Sequence, residues 1–312
     1  MTVDERRELL KRIYDFLRIN DFNVSEPDLY GLVTFDIVCK RDDEKYILKI
    51  LYNIDTFNRF SVSSLLKMEK ITGSIAIVIG DKTGNGKLEN GVLYFRHGIP
   101  IFSFVTFRDY INGQKPCVYS APGGFYVKIN GEKMRDIRNK KNYSIGDISQ
   151  KLGVSRRSVS LYESGTSATI DIYIKLEKLL NDNLSREVDI GLMKNNINIE
   201  VESTSDAFIK FVFNMMNNMG YVSEYISRNP FDGLSYDMKS FLMIGTFNNI
   251  NENINRIVSI KKISDVLGDI PIIFNKEISN KESIYGCPVL NMKDVMNVSD
   301  RDKFKKLIEQ RL

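Results

Sequence analysis

The chain has 312 residues, 43% of them hydrophobic and 27% charged, with a formal net charge of +4. That length exceeds what one core ordinarily holds, so about two or three domains are expected, and the apolar content argues against wholesale disorder. No apolar run approaches the roughly 20 residues that cross a bilayer, and Cys39, Cys117 and Cys287 are too scattered for a disulfide framework.

The opening MTVDERRELLKRIYDFL reads as a charged amphipathic helix over Glu5 to Ile19 without a signal-peptide core, which predicts a cytoplasmic location. Phe35-Asp36 and then Ile47-Leu-Lys-Ile-Leu-Tyr-Asn-Ile-Asp55 read as two strands close enough for a hairpin. A helix from Ser64 to Gly73 and a buried strand over Ser74-Ile-Ala-Ile-Val-Ile79 follow. Gly84-Asn-Gly86 is a surface loop that lacks the lysine-serine pair of a phosphate loop. His97, the single histidine, stands beside Gly98-Ile-Pro100 and reads as a turn residue, because no Asp or Cys is placed with it. A strand and a helix containing Asp109 come next, then Pro122-Gly-Gly124 and a short strand that connects onward.

From Ser144 to Gly165 the chain reads SIGDISQKLGVSRRSVSLYESG, two short helices around a tight turn. Ser144 caps the first, whose Ile145, Ile148 and Leu152 recur at helical spacing, and Gly153 ends it. Ser155 caps the second, with Val159 and Tyr162 inward and Arg156, Arg157, Ser160 and Leu161 on the opposite face. A helix in the major groove presents its N-terminal half to base edges, and arginine suits the O6 and N7 acceptors of guanine. Eight cations lie between Gly131 and Tyr162 (Lys133, Arg135, Arg138, Lys140, Lys141, Lys151, Arg156, Arg157) against the acids Glu132, Asp136 and Asp147. The positive excess of the whole chain therefore concentrates here, as duplex DNA requires.

On the Leu152-Gly-Val-Ser-Arg-Arg-Ser-Val159 core and the Tyr162-Glu-Ser-Gly165 ending, Gly131 to Asn183 resembles the Cro and lambda-repressor family of DNA-binding domains. The resemblance implies that Ser155, Arg156, Arg157, Ser160 and Leu161 touch bases, and that Ser164, Thr166 and Lys151 lie near phosphate. Leu161 departs from the polar residue common at its position.

Beyond this module the first pattern returns. Phe231-Asp232 precedes Phe241-Leu-Met-Ile-Gly-Thr-Phe-Asn-Asn-Ile-Asn251, Ser259 to Gly268 reads as a helix, and Asp269-Ile-Pro-Ile-Ile-Phe274 as a buried strand. Tyr285-Gly-Cys-Pro-Val-Leu-Asn291 repeats the Gly-x-Pro turn and leads to a helix with Asp294. A helix from Ser205 to Met219 precedes this second pattern as Glu5 to Ile19 precedes the first, and Ser299 reads as the cap of a terminal helix. The fold class is thus α/β: two duplicated mixed-sheet units, 1–120 and 199–312, flanking an all-α Cro-type helix-turn-helix domain at 131–185.

Asp36 and Lys49 resemble the D…(D/E)-x-K arrangement of restriction-endonuclease-like nucleases, in which paired carboxylates hold Mg²⁺. The position two before Lys49 is Ile47, and around Leu242 and Met243 the second copy has no equivalent lysine. No catalytic residue, metal site or cofactor is therefore expected, and the alternative is a nuclease-like, catalytically inactive DNA-processing protein.

Taken end to end, the chain resembles the helix-turn-helix transcriptional regulatory proteins of archaea. The features that carry this are Phe35-Asp36, Lys49, Asn53-Ile-Asp55, Leu88-Glu89, Gly98-Ile-Pro100, Ala121-Pro-Gly-Gly124, Gly153-Val-Ser-Arg-Arg157, Tyr162-Glu163 and Phe231-Asp-Gly-Leu234. The expected function is sequence-specific regulation of transcription on double-stranded DNA by a homodimer, with the flanking units dimerising or contacting an effector. The effector itself is not readable from the residues, and no membrane partner is expected.

Overall fold

In the computed structural model, which describes residues 3–27, 33–191, 202–238, 240–277, 279–298 and 300–312, the chain opens with helix α1 (Val3–Ile19). Its Leu9, Leu10, Ile13 and Leu17 share one face and are buried. Three antiparallel strands follow: β1 (Asn23–Val24), β2 (Ile37–Arg41) and β3 (Glu44–Asn53), with Ile37 opposite Leu48. Helix α2 (Arg59–Thr72) starts on Asn58, whose side chain accepts from the Ser61 N–H, and stops at the left-handed Gly73. Then come β4 (Ile75–Thr83), β5 (Gly86–Lys87), β6 (Val92–Arg96), β7 (Ile99–Ser103) and α3 (Phe104–Ile111). β7 pairs in parallel with β4 and antiparallel with β6. The β6–β7 hairpin turns on His97 (φ 50°) and Gly98 (φ 78°), both left-handed, the two-residue geometry that suits strand twist. His97 is a turn residue.

The segment that reads as a connector is a hairpin of β8 (Val118–Ala121), parallel to β6, and β9 (Gly124–Val127). Four helices follow, α4 (Gly131–Lys140), α5 (Ile145–Leu152), α6 (Arg156–Glu163) and α7 (Ile170–Leu180), with β10 (Ala168–Thr169) just before the last. Their shared core includes Met134, Ile148, Leu152, Val159 and Leu176. β10 pairs with β9, and beyond α7 the Arg186 N–H donates to Lys128 O while Asn130 N–H donates to Leu184 O. Backbone hydrogen bonds therefore clamp the helical module at both ends.

The C-terminal copy runs α8 (Ala207–Asn218), β11 (Val222–Tyr225), β12 (Gly233–Tyr236), β13 (Phe241–Phe247), α9 (Ile254–Leu267), β14 (Ile270–Asn275), β15 (Ser283–Ile284), β16 (Cys287–Asn291), α10 (Met292–Asn297) and α11 (Arg301–Arg311). Its sheet order is β11-β12-β13-β14-β16-β15. The antiparallel run β11-β12-β13 repeats β1-β2-β3, and β14-β16-β15 repeats the parallel-then-antiparallel run β4-β7-β6. Its hairpin likewise turns on two left-handed residues, Tyr285 and Gly286, and α9 ends on the left-handed Gly268 as α2 ends on Gly73. The two α/β segments share one connectivity. Ser299 lies outside the described residues; Asp300 caps α11, accepting from the Lys303 N–H.

Two compact units result, one holding α1, β1, β2, α2 and the whole C-terminal copy, the other β6, β7, α3 and the helical module. Within the first unit the copies exchange equivalent contacts: α9 packs on β2 and α2 on β12. Phe35 stacks on its counterpart Phe231 with ring centroids 6.3 Å apart. Lys67 of α2 reaches Tyr225 O at 3.4 Å and Glu224 at 3.6 Å, while Lys262 of α9 pairs with Glu26. These reciprocal contacts follow a two-fold pattern inside one chain.

One difference between the copies has a pH signature. After Gly73 stands Ser74, bonded to the Thr72 hydroxyl; after Gly268 stands Asp269, whose carboxylate oxygens are buried without a hydrogen-bond partner among the described residues. The Ser264 hydroxyl nearby points at Met243 Sδ. Burial pushes the Asp269 carboxyl up from 3.8 to about 7. The folded state then holds a proton that the unfolded chain has lost between those values, so this group lowers stability as pH rises from about 4 to about 7. Asp269→Asn is expected to stabilise the protein at pH 8 by on the order of 2 kcal/mol and to change little near pH 3. Urea denaturation across that range checks this; a gain independent of pH would contradict it.

Candidate nucleic-acid interface

Helix α5 begins with a reciprocal cap in which the Ser144 hydroxyl accepts from the Asp147 N–H and the Asp147 carboxylate from the Ser144 N–H. Gly153, at φ 69°, closes it in the left-handed conformation that a side chain would strain. The Ser155 hydroxyl then accepts from the Ser158 N–H and starts α6. Val159 is fully buried against the module's core, while Ser155, Arg156, Arg157, Ser160, Leu161, Ser164 and Thr166 are exposed. Five of these, from Arg156 to Ser164, recur at spacings that share one helix face.

The two arginines differ. Arg156 folds back over α5: a Cβ at Gly146 would stand 3.3 Å from its Nη2. The Arg157 side chain makes no hydrogen bond or ion pair among the described residues. Lys151 is exposed on α5, with its ammonium 5.6 Å from the centre of the Tyr143 ring. The Ser160 hydroxyl donates to Arg156 O, and the Ser164 hydroxyl to Leu161 O at 2.7 Å.

What holds α6 in place is Glu163, which in the sequence reads only as part of the helix stop. Its side chain is 6% exposed and takes Arg138 of α4 through both oxygens, Nε on Oε1 and Nη2 on Oε2 at 3.3 Å. Arg138 Nη1 also donates to Tyr143 O at 2.9 Å, and Arg135 Nη2 to Glu163 O at 3.3 Å. A Cβ at Gly131 would run into the Glu163 carbonyl and stand 2.7 Å from Gly165 N, so the start of α4 touches the end of α6. The positive field is correspondingly smaller than the residue tally implies. Arg138 is neutralised by Glu163, and Lys133 pairs with Asp182 at 2.7 Å.

The nuclease-like residues are assembled differently. Asp36 is buried, its Oδ1 accepting from Arg6 Nη2 at 2.6 Å and Lys49 Nζ at 3.3 Å, its Oδ2 from the Ile50 N–H at 2.6 Å. Lys49 also donates to Val33 O. Asp232 repeats the pattern with Arg256 Nη2 at 2.6 Å and the N–H and hydroxyl of Thr246. Strand register aligns Ile47 with Met243 and Lys49 with Gly245, the same separations from Asp36 and Asp232 in the two copies. At Gly245 a Cβ would lie 2.7 Å from Ile260 Cδ1, so any side chain there would have to displace the end of Ile260. Where a second carboxylate would help bind Mg²⁺ stands a buried isoleucine or methionine, and a guanidinium sits on the first carboxylate. No group of three or more His, Cys, Asp or Glu able to hold a metal occurs among the described residues. The three cysteines are free; burial pushes the Cys287 thiol up to about 12 and raises Cys39 as well, so neither offers a thiolate.

Residues 6–116 match the model of the PD-(D/E)XK superfamily domain, and residues 134–182 that of the helix-turn-helix. A protein of Picrophilus torridus is 57% identical over 99% of both chains, and one of Thermoplasma volcanium 43% identical over 99% of both. One of Methanocaldococcus jannaschii is 32% identical over 95% of this chain and 94% of its own. Each bears the name of an HTH-type transcriptional regulatory protein. No solved structure matches the chain.

Proposed function

The chain belongs to the family of archaeal HTH-type transcriptional regulatory proteins, and on that premise we propose that it is a sequence-specific regulator that reads double-stranded DNA with α6. The observation that carries this reading is the two-sided nature of α6. One face is anchored by Val159 and Glu163, and the other leaves Arg157, Ser160, Leu161 and Ser164 in solvent. In this reading Arg157 is the direct reader of a guanine and Arg156, set against Gly146, reads or positions beside it. Ser155 and Ser160 also face the bases, while Lys151, Ser164 and Thr166 meet phosphate. The module at 131–185 serves one half-site, so two chains bind a paired site as a homodimer in the cytoplasm. The α/β segments 1–120 and 199–312 are then scaffold and interface rather than enzyme.

Footprinting with duplexes selected by the full-length protein tests this. Arg157→Ala should weaken the selected duplex roughly 10- to 100-fold while weakening random duplex much less, since a bidentate arginine–guanine contact discriminates by about 1–3 kcal/mol. Equal losses on both would leave only a phosphate contact.

The PD-(D/E)XK match over 6–116 favours a second reading, a DNA-processing protein brought to its substrate by the same module. With Mg²⁺ or Mn²⁺ the protein should leave duplex, single-stranded and branched DNA intact. Cleavage that vanishes in Lys49→Ala would establish the enzyme instead.

A further inference from the structure

We infer that Leu161 is a specificity-determining residue that packs on the C5-methyl group of a thymine, an inference that rests on the DNA-reading function proposed above. Around it the exposed face of α6 is made of serines and arginines, yet Leu161 is 44% exposed and lies outside the module's core cluster. Its backbone is held, for its carbonyl accepts from the Ser164 N–H at 3.1 Å, the Thr166 N–H at 3.0 Å and the Ser164 hydroxyl. A leucine side chain has no donor or acceptor, so it cannot read the amino, carbonyl or ring-nitrogen positions that distinguish bases. The apolar group that the major groove offers is the thymine methyl. Leu161 follows Arg157 by four residues, about 6 Å along the helix axis at the α-helical rise, or one to two base steps. The half-site is thus expected to carry a guanine and, one to two steps away, a thymine whose methyl faces the protein.

The probe is a duplex selected from a random-sequence library by the full-length protein, with each thymine replaced in turn by deoxyuridine, which removes only the methyl. At one thymine per half-site the wild type should lose roughly fourfold in affinity, the worth of one buried methyl-sized group. Leu161→Ala should bind the thymine and deoxyuridine forms of that position equally, and Leu161→Asn should do the same. The exposed position lets both variants fold, which a thermal melt matching the wild type confirms. The inference is overturned if no deoxyuridine weakens the wild type, or if Leu161→Ala keeps the same fourfold loss. A library that yields no preferred sequence would remove the DNA-reading function itself, and Leu161's role with it. A preferred sequence without a methyl effect would remove only the latter.

Discussion

Glu163→Ala is expected to destabilise the helix-turn-helix module by about 3–5 kcal/mol, the cost of leaving a buried charge without its partner. The Arg138 side chain is 12% exposed and is fixed by a further bond to Tyr143 O, so it has no short route to water once the carboxylate is gone. Arg135 is 54% exposed and its contact at 3.6 Å adds little. The effect should reach function, because the same carboxylate ties the end of α6 to α4 and so fixes the angle of the exposed face. Denaturant unfolding of the full chain, followed through hydrogen exchange of α4 to α6, reads the loss. The double variant Arg138→Met with Glu163→Met tests the cause, since an apolar pair of similar volume should recover most of the stability. A single-variant loss below about 1 kcal/mol would show that the pair is solvated and that packing alone holds α6.

Much of this module is legible in the sequence because its signals are local. Ser144, Gly153 and Ser155 each act within three or four residues, and the 3.6-residue period separates Val159 from the exposed positions of α6 without knowledge of any neighbour. The ion pair that secures the helix is different in kind: Arg138 and Glu163 lie on separate helices, and nothing in either flank marks them as partners. The clamp made by β9 and β10 escapes for another reason, since a two-residue strand such as Ala168–Thr169 has no alternation to detect. β1 escapes in the same way. The duplication is visible through its turns and its Phe-Asp pair, whose geometry imposes residue types. Counting from that pair already makes Met243 the equivalent of Ile47, and the pairing of Gly233 with Ile244 keeps it so, although buried strands such as Phe241–Phe247 are apolar almost throughout and carry no alternation of their own.

Asp36→Ala should cost the first unit about 3–5 kcal/mol without removing a cleavage activity, because the carboxylate serves here as an anchor for two cations. Arg6 and Lys49 are 12% and 7% exposed, and the Ile50 N–H would also lose its acceptor. Asp36→Asn should recover only part of the loss: its amide oxygen accepts one hydrogen bond, yet two buried positive charges stay uncompensated. The duplicated chain supplies its own control. Asp232 holds one cation, Arg256, which is 34% exposed, together with the hydroxyl and N–H of Thr246. Asp232→Ala should therefore cost distinctly less, because Arg256 turns to solvent where Arg6 and Lys49 cannot. Urea unfolding of both variants under one condition makes the comparison. Equal losses would mean that the cations at Asp36 reach water after all, and an unchanged Asp36→Ala stability would return that carboxylate to the list of groups kept for chemistry rather than for the fold.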